Sequence, residues 1–516
     1  MSLTAIELSV FASRVETLCA EMGAVLQQAA FSPNIKDRLD YSCALFDSRG
    51  ELFAQAAHIP VHLGSMAFAM ADLVEGRDWQ PGDMLVVNDP FMGGTHLPDV
   101  TLIAPFFWED ELLAFVANRA HHANIGADTP GSMPVSSTLE EEGVVIAPAL
   151  LFAAGREVPA TRALLDSIEG QETAGDFAAQ ISANNTGLNR LQQLLQEQGK
   201  ERFLAGVQGL NEYAERIVQR FLQDMPHGEW HFTDQMDDDG FGQRGIQLTL
   251  SLTIGPEQII ADFTGTSAQV QGNINCPLSV AAAAVFYVFR CLLPAYTPAC
   301  AGAFSLIRLI APEGTLLNAR RPAATAAGNV ETSMRIVDLV LGALAQAVPE
   351  RIPAASQGTM NNVAMGARGE AGHWDYYETI GGGLGASHCG PGLSCVQAHM
   401  TNTLNTPAES LEQHYPLRVV AYQRRQGSGG AGRYEGGDGL IREFEFLAPA
   451  EVTLLTERRD IAPWGLAGGE AGRVGKNLLD GVEMPSKTHI KVTTGQRLRI
   501  ETPGGGGYGK KNFQEF

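Results

Sequence analysis

The clearest pattern along the chain is a pair of apolar runs, at 100–107 and 112–120, separated by the short, mainly acidic link WEDE. Two apolar runs joined by so short a polar link are typical of an antiparallel β-hairpin. A second hairpin is predicted beyond residue 245, where apolar residues alternate from Ile246 to Ile254 before a turn and an apolar return. Both patterns indicate that strands close in sequence pair with each other.

Helical spacing of apolar residues marks the segments between these strands. The last predicted helix follows Asn329, a good N-cap, and carries Glu331 in its first turn. Together the elements predict a mixed α and β (α+β) fold, in a large, β-rich chain of more than one unit with several buried and amphipathic helices. We expect an N-terminal unit at 1–230, which contains the first hairpin, and a β-rich, Gly-rich unit at 231–516. The predicted helices span about 5–30, 175–224, 277–293 and 330–347.

Composition and charge exclude several classes of function. The 516 residues carry a net charge of −22, whereas a nucleic acid or an anionic membrane surface attracts a basic face. The seven cysteines form no CxxC pair, which favours a reducing compartment. The longest apolar run contains Arg290 and stops at Pro294, too short to cross a bilayer, and the N-terminus lacks the apolar core of a signal peptide. We therefore expect a cytoplasmic protein with no nucleic-acid or membrane partner.

Histidines and one aspartate cluster at the ends of the first hairpin. His96 and Asp99 come just before its first strand, and His121 and His122 come just after its second. Folding the hairpin brings all four to the same end, although about 25 residues separate them in sequence. Imidazoles and a carboxylate that converge in this way suit Zn²⁺, Mn²⁺ or Fe²⁺ and leave a coordination position open for water.

The exact ligand set stays open at this point. Adjacent residues of a strand face opposite sides of a sheet, so we expect one of His121 and His122 to be a ligand and the other to support it. His62, four residues after His58, could supply a further nitrogen. The alternative is that these histidines cap strand ends and satisfy buried carbonyls. The convergence of several of them favours a metal or catalytic site.

Three other motifs carry weaker signals. The sequence HCGPGLSCVQAH, at 388–399, has metal-binding residue types but matches no zinc-knuckle spacing, so we interpret its cysteines as buried thiols in a glycine loop. MDDDG at 236–240 is interpreted as a solvated turn. GSGGAG at 427–432 fits GxGxxG, but no helical pattern follows it, and the chain has no GxxxxGK[ST] loop. No motif in this chain therefore predicts an ATP site.

Six sequence blocks together resemble the hydantoinase B/oxoprolinase family and cover nearly the whole chain. The resemblance implies a separate hydantoinase A-type ATPase partner in a hetero-oligomer. It implies that the partner uses ATP to phosphorylate a cyclic amide, namely a hydantoin, 5-oxoproline or a lactam, and that this chain hydrolyses the phosphorylated intermediate. The six blocks are DYSCALFDSRGELFAQAAHIPVHLGSM, NDPFMGGTHLPDVTLIAPFF, RAHHANIGADTPGSMP, GNVETSMRIVDLVLGAL, HMTNTLNTPAESLEQHYPLRV and GSGGAGRYEGGDGLIREFEFL.

The resemblance also implies roles for the histidine cluster. A divalent metal held by some of His96, Asp99, His121 and His122 would activate water, which makes these four the candidate catalytic residues. The family usually has an aspartate after the paired histidines, where this chain has Asn124, an oxygen donor without negative charge. Two alternatives stay open: the catalytic subunit of an ATP-dependent ketone carboxylase, and a non-catalytic scaffold for an A-type ATPase.

Overall fold

A computed structural model describes residues 3–56, 58–168, 171–368 and 373–511. These residues form helices and four β-sheets, which confirms the predicted mixed α and β class. None of the helices in the described ranges is long and apolar enough to cross a membrane. The helices are α1 (Ala5–Ala29), α2 (Pro33–Lys36), α3 (Pro60–Val74), α4 (Pro159–Asp166), α5 (Gln171–Gln198), α6 (Lys200–Asp224), α7 (Leu278–Leu292), α8 (Ser333–Ala347) and α9 (Ala408–His414).

The first sheet has seven antiparallel strands in the order β2-β1-β5-β4-β3-β6-β7. Its centre is the predicted hairpin of β4 and β5, which the structure confirms. The turn residues Glu109 and Asp110 both have positive φ, as the tight turns that match the twist of a hairpin require. The seven strands are β1 (Tyr41–Asp47), β2 (Leu52–Gln55), β3 (Met84–Val87), β4 (Asp99–Trp108), β5 (Glu111–His121), β6 (Ala149–Ala153) and β7 (Arg156–Glu157).

The remaining strands form three further sheets, with orders β11-β10-β9-β8, β13-β12-β16-β19 and β14-β15-β20-β17-β18. The predicted second hairpin is present as β9 and β10. These strands are β8 (Gly228–Met236), β9 (Ile246–Ile254), β10 (Ile259–Asp262), β11 (Ile307–Ile310), β12 (Asn362–Ala367), β13 (Trp374–Glu378), β14 (Leu417–Arg425), β15 (Gly439–Phe446), β16 (Ala450–Leu455), β17 (Lys476–Leu479), β18 (Val482–Met484), β19 (Lys487–Val492) and β20 (Arg497–Glu501).

Helices cover both faces of the seven-stranded sheet. Val116 of β5 lies in the core formed with α1 and α5, whereas its neighbours Phe115 and Ala117 pack with α3 on the opposite face. A strand buried on both faces is apolar along its whole length, which explains the continuous runs of β4 and β5. Asp99 pairs directly with His121 at the end of the hairpin. The face of the sheet toward which each side chain points therefore decides which other residues it can contact.

Part of the second half of the chain closes over that end of the hairpin. A π-helical turn at Gly328–Thr332 precedes α8, and Asn329 lies inside this turn. The prediction that Asn329 is an N-cap is therefore wrong, because its side chain donates a hydrogen bond to Asp99 instead. Among the described residues, the first sheet uses only strands between 41 and 157 and the other three only strands from 228 onward. The division near residue 230 stays a prediction.

Candidate metal centre

The loop that delivers His96 is held rigidly between β3 and β4. The side chain of Asn88 donates to the carbonyl oxygens of Leu97 and Val144, both at 2.9 Å. A Cβ atom at Gly94 would lie 2.3 Å from the carbonyl oxygen of Asn88, so only glycine fits where the loop folds back. These contacts fix the short path from the end of β3 to His96.

Asp99 is the centre of the site, with three imidazoles around its carboxylate. Its Oδ1 lies 3.1 Å from His96 Nε2 and 3.1 Å from His121 Nδ1, and its Oδ2 lies 3.2 Å from His62 Nε2. His62 comes from the first turn of α3, which packs on the same face of the sheet as His121. All four side chains are buried, with exposed fractions of 0 to 2%.

Two further hydrogen bonds orient the Asp99 carboxylate. The Thr95 hydroxyl donates to Oδ2 at 2.6 Å, and the Asn329 amide donates to the same oxygen at 3.2 Å. Oδ1 is therefore left to face His96 and His121. Each donor favours the ionised form, so the carboxylate is presented as an anion.

Burial and ion pairing act against each other in this cluster. Burial opposes the charge of Asp99, yet His96 and His62 hold the pKa of its carboxyl well below the usual range. Burial also opposes a positive charge on His96, but the Asp99 carboxylate raises the pKa of this imidazole. Burial lowers the pKa of His121, which favours its neutral form. Metals bind the ionised carboxylate and neutral imidazoles, so a metal ion at this site would have to displace the proton that Asp99 favours on His96.

The arrangement fits a divalent metal ion. His96, Asp99 and His121 each offer one ligand atom, and these atoms lie within 4.8 Å of one another. Nε2 of both histidines is buried and makes no well-aligned hydrogen bond, although Nε2 of His96 lies 3.1 Å from Asp99 Oδ1, so a further group can bind there. His96 Nδ1 lies 3.2 Å from the carbonyl oxygen of Ala326, so a proton on Nδ1 leaves the lone pair of Nε2 free. Two nitrogens and one carboxylate oxygen suit Zn²⁺, Mn²⁺ or Fe²⁺.

His122, another predicted ligand, faces away from this group, whereas Asn124, also a predicted ligand, makes a local backbone contact. His122 Nε2 is 3.0 Å from Gln180 Oε1, and its ring packs against Phe177, so it faces α5 and not α3. Asn124 uses its side-chain oxygen to accept from the backbone amide of Gly126 at 2.8 Å, in a local turn. His62 is close to Asp99 but lies outside the group of three, and the complete ligand set stays a prediction.

One neighbouring carboxylate was missed by the sequence reasoning. Asp40 directly precedes β1, and its carbonyl accepts the amide of His121 at 3.0 Å. Its Oδ1 lies 3.8 Å from His62 Nε2, and Asp40 is slightly more exposed than the cluster itself, at 6%. The missing signal was the pairing of β1 with β5, which places Asp40 beside His121.

The weaker motifs do not form metal clusters among the described residues. Cys389 is exposed and Cys395 is half-buried, so the interpretation as buried thiols is wrong for this loop. The acidic turn is also not solvated, because Asp237 and Asp239 are 3% and 1% exposed. Asp237 accepts the backbone amides of a later segment, for example that of Arg459 at 2.6 Å, which makes the turn a structural link.

The fold and the cluster define a mixed α and β protein with a buried histidine–aspartate group able to hold a divalent metal. The hydantoinase B/oxoprolinase family model matches residues 4–511, and the chain belongs to this family.

Three known proteins illustrate the relationship. 5-Oxoprolinase 1 of Arabidopsis thaliana is 38% identical over 98% of this chain and 42% of the plant protein. A Pseudomonas sp. (strain NS671) protein, named provisionally as the B-type component of a D-/L-hydantoinase, is 30% identical over 98% of this chain and 90% of that protein. The crystal structure of the ATP-dependent caprolactamase of Pseudomonas jessenii has a TM-score of 0.92 at 27% identity, covering 99% of this chain and 92% of that chain. This chain thus spans about two fifths of the plant protein and nine tenths of the bacterial ones.

Proposed function

We propose that this chain is the metal-dependent hydrolytic subunit of an ATP-dependent cyclic-amide hydrolase. The observation that carries the proposal is the buried group of His96, Asp99 and His121, in which Nε2 of both histidines makes no well-aligned hydrogen bond. The relatives add the substrate class, since an oxoprolinase, a hydantoinase component and a caprolactamase are all named for cyclic amides.

The chemistry requires two kinds of site. An unstrained cyclic amide is a poor electrophile, and transfer of a phosphoryl group to its carbonyl oxygen creates a leaving group. The sequence of this chain has no phosphate-binding loop of the GxxxxGK[ST] type, so we assign that step to a hydantoinase A-type ATPase partner. A bound divalent metal supplies Lewis-acid polarisation and a water of lowered pKa.

The residues of this chain would bind, orient and protect the reacting groups. His96, Asp99 and His121 would hold the metal, and Asn329 keeps the Asp99 carboxylate in one orientation. The Tyr377 ring stacks on His121 with centroids 4.6 Å apart and covers one side of the site, which excludes bulk water there. Asp40 lies where its carboxylate oxygen could serve as a further ligand.

A reconstitution experiment tests this proposal. The purified chain is expected to contain bound divalent metal and to hydrolyse no ATP on its own. With an A-type ATPase partner and ATP, it is expected to open the ring of 5-oxoproline, hydantoin or caprolactam. His96→Ala should lower both metal content and ring opening, and His231→Ala, at an exposed histidine, should change neither.

Each alternative has its own outcome in this experiment. Consumption of a ketone and bicarbonate, with no ring opening, would favour a carboxylase. Stimulation of the partner's ATPase by a metal-free chain would favour a scaffold. A His96→Ala protein with full metal content and full turnover would remove the cluster from the mechanism.

A further inference from the structure

Glu142 is a buried carboxylate for which the proposed reaction has no role. It is the last residue of a short 3₁₀ helix, Leu139–Glu142, and is 0% exposed. Its Oε1 accepts three hydrogen bonds, from the Ser136 hydroxyl at 2.8 Å and from the backbone amides of Thr325 and Ala326 at 2.8 and 2.9 Å. A buried carboxylate that accepts hydrogen bonds from the backbone of a segment some 180 residues away fixes the position of that segment.

The residue that Glu142 binds, Ala326, also contacts the candidate metal centre. Ala326 donates its amide to Glu142, and its carbonyl oxygen lies 3.2 Å from His96 Nδ1. An imidazole that donates from Nδ1 to a carbonyl is held as the tautomer with a free lone pair on Nε2. In this protein that Nε2 is the atom 3.1 Å from Asp99 Oδ1.

The same contact also anchors the following turn. Ala326 is helical and leads directly into the π-helical turn that contains Asn329, the donor to Asp99. The first amides of a helix lack partners within it, so a carboxylate that accepts them fixes where the helix begins. Glu142 therefore supports two groups of the site, the Ala326 carbonyl that faces His96 and the Asn329 side-chain amide that faces Asp99.

We propose that Glu142 is a positioning residue, which acts through Ala326 to hold the His96 ring with Nδ1 facing the Ala326 carbonyl oxygen and Nε2 directed at the metal position. This inference rests on the proposed metal site. Under this inference, the essential feature of Glu142 is its ability to accept hydrogen bonds, whereas its charge is not required. Burial raises the pKa of Glu142 to about 7, so charged and neutral forms coexist near neutrality, and a carbonyl-type Oε1 is present in both.

Two substitutions separate these features. Glu142→Gln keeps an oxygen at Oε1 for the three donors, and its amide nitrogen would face the Thr325 hydroxyl, which lies 3.4 Å from Oε2 and can accept. Glu142→Ala removes the acceptor. Asp438→Ala is the matched control, because Asp438 is also buried and accepts the loop amides of Ser428 and Gly429 at 2.7 and 2.8 Å.

The first readout is the hydrogen-bonded proton on His96 Nδ1 in the metal-free protein, measured by long-range ¹H–¹⁵N correlation of labelled histidines and assigned with a His96→Gln sample. The second is the Zn²⁺ affinity, measured by competition with a chromophoric chelator. Wild type and Glu142→Gln are expected to show a proton on His96 Nδ1 that is hydrogen-bonded to Ala326, and Zn²⁺ affinities within about threefold of each other. Glu142→Ala should lose that hydrogen-bonded proton and bind Zn²⁺ about 10–100-fold more weakly, the usual effect of losing a group that orients a ligand. Asp438→Ala should lower thermal stability alone.

The outcomes distinguish failure of this inference from failure of the proposed function. An unchanged His96 Nδ1 proton and Zn²⁺ affinity in Glu142→Ala would overturn the positioning role, as would a Glu142→Gln protein that behaves like the alanine variant. If Glu142→Ala does not fold, Glu142→Asp, which withdraws the carboxylate by one methylene, takes its place under the same criteria. A wild-type protein that binds no metal would refute the metal site, whereas the comparison of the His96 Nδ1 proton would still decide whether Glu142 positions His96.

Discussion

Replacing Asp99 with asparagine tests the centre of the cluster, because it keeps the shape of the side chain and removes its charge. Asp99 is fully buried, and its two oxygens face His96, His121 and His62 at 3.1 to 3.2 Å. Burial opposes ionisation, but the imidazoles hold the pKa of Asp99 well below the usual range, so the wild-type carboxylate is charged at neutral pH. The substitution therefore removes a full negative charge from the metal position.

The size of the effect can be bounded. Residues that merely orient a metal ligand contribute about 10–100-fold to affinity, so loss of the anionic ligand itself should weaken Zn²⁺ binding at least about 100-fold, or about 2.7 kcal/mol. Chelator competition measures this loss, and thermal unfolding with and without EDTA shows whether the protein remains folded. Asp176→Asn is the control, since Asp176 is equally buried and accepts the amides of Phe31 and Ser32. Zn²⁺ affinity within threefold of wild type in Asp99→Asn would refute the assignment of the site.

Three further outcomes are expected. His122→Asn should keep Zn²⁺ affinity within about threefold, because His122 Nε2 faces Gln180 and not the cluster; a loss of about 100-fold would make His122 a ligand. Gly328→Ala should destabilise the protein to urea by about 3 kcal/mol or more, because its Cβ would lie 1.8 Å from the carbonyl oxygen of Asn275; unchanged stability would contradict this packing. Glu331→Gln should gain stability relative to wild type as pH rises. Burial raises the pKa of Glu331 from 4.5 to about 8, so the native state keeps a proton that the unfolded chain releases, and wild-type stability falls between about pH 5 and 8. The relative gain in urea-unfolding free energy should reach about 2–5 kcal/mol, and parallel pH profiles would argue against a neutral Glu331.

The part of the site that could be predicted from the sequence is the part built by one hairpin. The strands β4 and β5 are adjacent in sequence and apolar throughout, so their pairing needs no information from elsewhere in the chain. Once they pair, Asp99 lies opposite His121, and alternation of side chains sends His121 toward α3. His62 was also recognisable, because α3 directly precedes this sheet region in the chain.

The rest of the site depends on contacts between segments distant in sequence. Asp40 reaches the cluster only because β1 pairs with β5, and nothing in its local sequence specifies that pairing. Asn329 shows the same dependence on a contact between segments distant in sequence. Its residue type and position before a helix favour an N-cap locally, yet its amide donates to Asp99, 230 positions away. Local propensity was overridden there by the need to satisfy a buried carboxylate.

The hydrogen-bond donors that the buried Asp99 carboxylate requires come from both halves of the chain. Among the hydrogen-bond donors to Asp99 Oδ2, Thr95 comes from the hairpin region, but Asn329 comes from the second half. The carbonyl of Ala326 and the ring of Tyr377 come from the second half as well, and they cover His96 and His121. Without these groups the cluster would be open to water, which would screen its charges and compete for the metal position. In the proposed site, the hairpin region would therefore supply ligand atoms, and the segments of the second half that contain Ala326, Asn329 and Tyr377 would provide the dry, oriented environment in which those atoms could bind a metal.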